Sequence, residues 1–285
     1  METRPSSKTS LNVIRVRRGE KPAPARRDDV ATEEPLEIRL VTGNTTQQVA
    51  ITMRTPGADF ELSAGFLFAE GIIHSKDDIQ AITYCVDREL SEEQRYNVVN
   101  VNLRHDAAKD LRKLERHFVV SSACGVCGKA SLDALETDGL RPLVNDARVS
   151  SEQILALPDE LRQAQRLFDS TGGLHAAALF DLDGTLLAVR EDVGRHNAMD
   201  KLIGWALLNG HIPLERYIVL VSGRASFELA QKALAASIPI LCAISAPSSL
   251  AVDVARRFGM TLVAFLRDDR FNLYCGSERI VDPTF

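Results

Sequence analysis

Apolar positions recur along this chain with two different spacings, which divide it into predicted strands and helices. In the second half, short apolar runs are each followed by a stretch of helical spacing, as in 194–208, where Met199, Leu202 and Ala206 fall on one face. Short strands that alternate with helices indicate an α/β core with helices on both faces of a largely parallel sheet. The predicted strands are 175–182, 185–190, 217–221, 239–244, 261–266 and 271–274, and the predicted helices are 150–169, 194–208, 226–237 and 248–258.

The first half of the chain has a looser pattern, which predicts a smaller mixed α+β lobe. Strands are expected over 35–41, 48–54 and 96–103, and helices over 59–70 and 107–117. The first 33 residues contain eight lysines and arginines and few large apolar groups, so they predict a tail. We therefore expect three parts: a flexible basic tail over 1–33 with at most one strand, over 11–16; the small lobe over 34–120; and the core over 121–285.

The composition is that of an average soluble globular protein. Of 285 residues, 26% are charged and 45% are hydrophobic, which excludes a disordered chain, collagen and a disulfide-stapled miniprotein as the overall class. The net charge of −5, without a long block of one sign, disfavours nucleic acid and anionic membranes as main partners. No apolar run approaches the about 20 residues that span a bilayer, and no signal segment is visible, so a cytoplasmic protein is expected.

The five cysteines point to thiol chemistry rather than to disulfides. An odd number in a chain without an export signal is typical of a reducing compartment. Cys124 and Cys127 stand close together in Cys-Gly-Val-Cys-Gly, where the glycines favour an exposed loop over a packed core. Lys129 and the helix predicted to begin near Gly128 would both favour the thiolate, which is the reactive form.

Three chemistries fit this pair of thiols. A zinc site needs further ligands, but the other cysteines stand alone and the six histidines are scattered. A dithiol redox site would follow the first strand of a thioredoxin-like domain, whereas this pair lies in mid-chain. A sulfur carrier needs one thiolate that holds a sulfane sulfur as a persulfide and a second thiol that assists. Cys124 and Cys127 are thus the candidate catalytic residues, and no permanent metal is expected.

Polar residues also gather where predicted strands end, and they suit a ligand that carries phosphates. His196 lies at the start of a predicted helix, whose N-terminus favours anions, and Ser222 and Arg224 follow the strand 217–221. The charged stretch 267–272 joins the last two strands, and its arginines could pair with phosphate oxygens. For His175, at the start of a strand, a role in the core and a role as a ligand both stay open.

The stretch Asp181-Leu182-Asp183-Gly184-Thr185 resembles the nucleophile loop of haloacid-dehalogenase-type phosphatases. That loop normally ends the first strand of its domain, whereas here it lies in mid-chain between two predicted strands. The Asp-Gly pair predicts a hairpin turn instead.

Eight segments, taken in order, resemble the FdhD family, the formate dehydrogenase accessory sulfurtransferases. They are 34–39, 61–67, 70–73, 124–128, 171–177, 191–201, 221–226 and 265–274. The resemblance implies a cytidine-deaminase-like three-layer core with a smaller lobe, commonly as a homodimer. It does not imply deamination, because Ala123 replaces the proline of the deaminase signature and no His-x-Glu motif is present.

The resemblance also implies a function. Members of the family take sulfur from a cysteine desulfurase and deliver it to the molybdenum cofactor of formate dehydrogenase, a bis-guanine dinucleotide that would be a bound substrate here. Cys124 matches the persulfide-bearing cysteine of the family, and Cys127 matches its partner. The cofactor site is expected to combine Ser222, Arg224 and His196 with the matching stretch Phe265, Leu266, Arg267, Asp268, Asp269 and Arg270.

Three other functions stay open at this point. A chaperone could bind the cofactor without carrying sulfur on its cysteines. A structural protein could use the two thiols to bind zinc. A nucleotide deaminase is the third, although the missing His-x-Glu motif disfavours it.

Overall fold

Two β-sheets lie on either side of a pair of tightly packed helices in the computed structural model of this chain. The structure describes residues 6–21, 23–87, 91–104, 132–133, 135–136 and 139–281. Its strands are β1 Lys8–Val13, β2 Arg26–Ala31, β3 Glu34–Thr42, β4 Thr45–Arg54, β5 Ile79–Tyr84, β6 Val98–Leu103, β7 His175–Asp181, β8 Leu186–Asp192, β9 Tyr217–Val221, β10 Ile240–Ala243, β11 Thr261–Arg267 and β12 Arg270–Cys275. Its α-helices are α1 Asp59–Ala69, α2 Glu92–Tyr96, α3 Ser151–Ala164, α4 Arg166–Thr171, α5 Arg195–Leu208, α6 Phe227–Ala235 and α7 Ser249–Arg257.

The larger sheet has six strands in the order β12-β11-β10-β9-β7-β8. Strands β9, β10 and β11 are parallel, whereas β7, β8 and β12 pair antiparallel with their neighbours. The sheet is therefore mixed, and the expectation of a largely parallel sheet is wrong. The reason lies in the connections: β7–β8 and β11–β12 are joined by short hairpins, which permit only antiparallel pairing, while β9, β10 and β11 are joined by helices.

Helices cover both faces of this sheet. Successive strand residues point to opposite sides, so Ala177 and Leu179 join the cluster beneath α5, α6 and α7, while Ala178 and Phe180 join the cluster beneath α3. Residue 165 separates α3 from α4, so the single helix expected over 150–169 is two helices. The expected three-layer α/β core is confirmed.

The smaller lobe is a four-stranded sheet in the order β4-β3-β6-β5, covered by α1. Leu36, Ile38 and Leu40 alternate along β3 and are almost completely buried. Strand β5 and helix α2 have no counterpart among the predicted elements. The smaller mixed lobe itself is confirmed.

Helices α1 and α5 cross at two glycines, and this crossing joins the lobes. A Cβ atom added to Gly65 would lie 1.8 Å from the carbonyl oxygen of Asp200, and one added to Gly204 would lie 1.8 Å from the carbonyl oxygen of Glu61. One hydrophobic cluster consequently runs from the small sheet, through both helices, to the larger sheet.

The N-terminal segment contains a two-stranded antiparallel ribbon, β1–β2, where a tail with at most one strand was expected. The strand that was expected over 11–16 lies at Lys8–Val13, and a second strand, Arg26–Ala31, pairs with it. The sequence concealed this ribbon because its strands are largely exposed and carry no apolar alternation. In the part of the chain that the structure describes, no helix has the length and apolarity needed to cross a membrane.

Candidate binding crevice

The carboxyl ends of β9, β10 and β11 meet at one edge of the larger sheet, where β7 begins and β8 ends. The pairs His175–Asp192 and Ala177–Val221 place these strand ends at the same level. Helices α5, α6 and α7 follow these strands, so their N-termini lie at the same edge. We call this edge the crevice; His175, Arg195, His196, Ser222 and Arg224 lie along it. Such edges are where α/β sheets bind ligands, and helix N-termini there favour anions.

Ser222 and Gly223 form the middle of the crevice. The Ser222 backbone N–H donates to the Ala176 carbonyl, and the Ala176 N–H donates to Ser222 Oγ, both at 2.9 Å. The Ser222 hydroxyl hydrogen is thereby left to donate to a ligand. A Cβ atom added to Gly223 would lie 3.2 Å from Nδ1 of His175, so the glycine lets the two loops approach closely.

Arg195 supplies a positive charge at the N-terminus of α5. Its Nε is buried and has no hydrogen-bond partner among the described residues. The α5 N-cap is Gly194, which has no side chain to cap the first helical N–H groups. An unpartnered buried guanidinium nitrogen costs free energy, which an anion in the crevice would offset.

His196 lies between α5 and α6. Its Nε2 is 3.4 Å from Ser226 Oγ and 3.7 Å from a carboxylate oxygen of Glu228. Burial lowers the pKa of His196, and the neighbouring Arg195 lowers it further, against the opposing effect of Glu228. Burial and Arg195 lower the pKa of His175 as well. Both rings are consequently neutral at neutral pH and can take part in ligand hydrogen bonds in either tautomer.

The stretch 265–270 lies at the far side of the crevice, at the end of β11. Phe265 has a φ of 51°, in the left-handed region, and its N–H donates to the Ser245 carbonyl at 3.1 Å. A register shift follows between Ala264 and Arg267. Such strained, bulged positions are typical of functional edges of sheets.

The predicted cofactor residues of this stretch do not share one environment. Arg267, Asp268, Asp269 and Arg270 are exposed at the hairpin. Leu266 is fully buried among the residues beneath α3, so its side chain contacts the core rather than the crevice. Arg224 is exposed beside Ser222. The crevice thus offers guanidinium groups to a ligand from two sides. A ligand in the crevice could contact only the backbone of Leu266.

A buried polar network beneath the crevice ties it to the small lobe. The Asp192 carboxylate accepts from the N–H groups of Thr55 (3.1 Å) and Gly194 (2.8 Å) and from Asn197 Nδ2 (3.0 Å). Lys201 Nζ lies 2.7 Å from the same carboxylate and donates to the Thr55 carbonyl at 2.8 Å. The start of α5, which carries Arg195 and His196, is therefore held by two buried charged side chains: Asp192 is 0% exposed and Lys201 is 2% exposed.

A cavity of about 490 Å³ lies on the small-lobe side of α5 and shares His196 with the crevice. Asp200 and Lys232 line it, and their charged groups are 2.7 Å apart. Glu70 lies 3.8 Å from Lys232 on the other side. Burial raises the pKa of Asp200 to about 6, although Lys232 opposes this shift.

The raised pKa of Asp200 gives a pH dependence of known sign. Between about pH 4 and pH 6 the folded protein keeps this proton while the unfolded chain loses it, so Asp200 lowers the free energy of unfolding as the pH rises. The Asp200→Asn variant lacks this titrating group. As the pH rises from about 4 to 6, we therefore expect the free energy of unfolding of the variant to change more favourably than that of the parent protein. Urea unfolding of both proteins at pH 4.5, 5.5 and 6.5 measures the difference. Equal pH slopes would contradict the raised pKa.

Cys124 and Cys127 lie outside the described residues, as does the helix predicted over 107–117. The three described cysteines are poor nucleophiles by position. Cys85 and Cys242 are buried, burial raises the pKa of the Cys242 thiol, and burial raises the pKa of the half-buried Cys275 thiol. A reactive thiolate is favoured by exposure and a lowered pKa. No group of three His, Cys, Asp or Glu residues within the described ranges is placed to bind a metal ion.

The structure brings His196, Ser222 and Arg224 together, and it adds Arg195 and His175 to them. Arg195 was not selected from the sequence, although it directly precedes His196 in the same polar segment. The Asp181–Thr185 turn lies elsewhere: the Thr185 N–H donates to Asp181 Oδ1 at 2.8 Å in the β7–β8 hairpin, at the edge opposite the crevice. The predicted hairpin turn is confirmed.

Comparisons with known proteins agree on one family. The chain is 53% identical to the sulfur carrier protein FdhD of Streptomyces coelicolor over 270 residues, which are 94% of each chain. It is 52% identical to the protein of that name from Mycobacterium tuberculosis over 259 residues, which cover 90% of this chain and 92% of the relative.

A solved structure extends the likeness to the fold. The crystal structure of a putative formate dehydrogenase accessory protein from Desulfotalea psychrophila has a TM-score of 0.72 with this chain at 26% identity, and the match covers 96% of this chain and 99% of that one. The sequence model of the FdhD/NarQ family matches residues 31–281. With its α/β core, its smaller lobe and this match over most of its length, the chain belongs to the FdhD/NarQ family.

Proposed function

We propose that this protein is a sulfur carrier, a sulfurtransferase that holds sulfane sulfur on Cys124 and delivers it to a phosphate-bearing metal cofactor bound in the crevice. The names of its relatives support the sulfur-carrier part. The observation that carries the cofactor part is the crevice itself, where the buried Arg195 Nε has no partner among the described residues and lies beside the start of α5. This arrangement suits an anion.

The proposed ligand is the molybdenum bis-guanine-dinucleotide cofactor, as a substrate and not as a resident group. Its phosphates would bind to Arg195, Arg224 and the hydroxyl of Ser222. The neutral rings of His175 and His196 would supply further hydrogen bonds, and Arg267 and Arg270 would contact the ligand from the opposite side. Binding through these distant phosphates would fix the metal relative to the thiol, so much of the rate gain would come from proximity.

The sulfur steps balance without an added oxidant. The Cys124 thiolate attacks the outer sulfur of a desulfurase persulfide, the S–S bond breaks, and the desulfurase cysteine leaves as a thiolate. Cys127 assists by holding or releasing the new persulfide. When the metal accepts the sulfane sulfur as a sulfide ligand, the metal supplies two electrons and Cys124 leaves as a thiolate.

The proposal makes a sharp prediction about mass. Incubation with a cysteine desulfurase and cysteine is expected to add one sulfur atom to the protein, and the Cys124→Ala variant is expected to gain none, because its nucleophile is missing. Intact-mass spectrometry measures the gain, and reduction should remove it. Cys275→Ala, which removes a half-buried thiol, is the matched control and should load like the parent protein.

Activation of formate dehydrogenase separates sulfur transfer from a chaperone role. Loss of both loading and activation in Cys124→Ala is expected. If this variant still carried persulfide and still activated the enzyme, the assignment would be wrong; activation without any persulfide would instead show a chaperone that only presents the cofactor. The proposal requires two partners, a cysteine desulfurase and formate dehydrogenase. It places the protein in the cytoplasm, as a homodimer.

A further inference from the structure

The N-terminal ribbon β1–β2 extends from the body of the protein with most of its side chains exposed. Every described residue between 8 and 28 is exposed except Val13, which is half-buried. Three large apolar side chains lie on this segment: Leu11, Ile14 and Val16 are 49%, 62% and 70% exposed. A two-stranded ribbon is marginally stable alone, and exposed aliphatic groups on it are typical of a surface that another molecule covers.

The ribbon has a charge opposite to that of the remaining chain. Residues 8–31, which span the ribbon, contain seven lysines and arginines and three acidic residues, while the whole chain has a net charge of −5. Among the described residues, Arg15, Arg18 and Arg27 form no ion pair. Free guanidinium groups beside exposed aliphatic groups fit a partner surface that is acidic around an apolar patch.

The base of the ribbon is fixed close to the crevice. Strand β2 packs against α4, whose Leu167 and Phe168 N–H groups donate to the Glu191 carboxylate at 3.0 and 2.8 Å. Helix α4 ends at Thr171, and His175 of the crevice follows only a few residues later. A protein bound to the ribbon would therefore stand beside the crevice.

We propose that the ribbon is a docking arm for an acidic protein that exchanges sulfur at the crevice. This inference rests on the proposed function, because it assumes that a partner must come to the crevice. The FdhD/NarQ family model matches from residue 31 on, so almost all of the arm lies outside that model. A protein is favoured over DNA or a membrane because the aliphatic groups need an apolar surface, and the net charge of the chain opposes anionic polymers.

Charge reversal on the arm tests the proposal. The full-length Arg15→Glu/Arg18→Glu variant and the parent protein are titrated, by isothermal calorimetry, with purified cysteine desulfurase and with purified formate dehydrogenase of the same organism. At least one of the two is expected to bind the variant about tenfold more weakly and with a weaker salt dependence. Arg141→Glu/Arg216→Glu, an equal charge change at the opposite edge of the sheet, is the control and should bind within about twofold of the parent.

Every other result overturns the docking arm. These results are equal affinity of parent and arm variant for both proteins, equal losses in the arm variant and the control, and no binding of either protein by the parent. Preferential loss of binding to duplex DNA or to phosphatidylglycerol vesicles would assign the arm to those ligands instead. Sulfur loading from sodium polysulfide, which needs no docking, tests the proposed function separately, so a failure there is distinguishable from a failure of the arm.

Discussion

The Gly204→Ala substitution is expected to destabilise the protein by more than about 3 kcal/mol, although alanine is the better helix former. The added methyl group would lie 1.8 Å from the Glu61 carbonyl oxygen and 2.8 Å from the Gly65 nitrogen. Both atoms belong to the backbone of α1, so no side-chain rotation can relieve the clash. The helices must separate, and the cluster that runs between the two sheets loses its packing.

Urea unfolding followed by circular dichroism measures this loss. Gly173→Ala is a matched control, because its added methyl group would meet only the Thr171 carbonyl oxygen, at 3.9 Å. Gly65→Ala is expected to resemble Gly204→Ala, and the double variant should lose less than the sum, since one separation of α1 from α5 accommodates both methyl groups. Stability equal to that of the control would show that the two helices do not cross as closely as described.

This crossing also shows where prediction from the sequence ends. The apolar residues correctly placed α1, α5, α6 and α7. Helices α6 and α7 each bury one face, whereas α1 and α5, which lie between the two sheets, bury most of their residues. Nothing in that spacing says that Gly65 faces Gly204, since the contact joins residues that are distant along the chain. The antiparallel pairing of β7 with β9 was missed for a related reason: the apolar sequence of a strand does not show whether its neighbour runs parallel or antiparallel to it.

The candidate site divides in the same way. Ser222 and Arg224 could be identified because they follow an apolar strand, and His196 because it lies at the start of a predicted helix; both kinds of position are typical of binding edges in α/β sheets. Asp192 at the end of β8 and Lys201 in α5 could not be identified as buried, because charged residues are ordinarily assigned to the protein surface. Their burial depends on Thr55, whose backbone groups reach them from the other lobe.

The Lys201→Met substitution is expected to destabilise the protein by about 3–5 kcal/mol at neutral pH, because it leaves the Asp192 carboxylate buried without its cation. Three N–H donors still reach that carboxylate, so the fold should survive with a looser start of α5. Urea unfolding of the variant and of the parent protein at pH 7 measures the loss.

A second substitution and a binding measurement separate the charge from the packing. Adding Asp192→Asn to Lys201→Met removes the stranded charge and should restore part of the stability at pH 7, whereas a simple cavity or packing defect would not be rescued. Asp192 holds Gly194 and Asn197, which flank Arg195 and His196. The single variant should therefore also bind pyrophosphate more weakly than the parent protein while it is still folded. A folded Lys201→Met protein with unchanged stability at pH 7 would mean that the two lobes are not joined through this ion pair, and that the crevice owes its geometry to the glycine crossing alone.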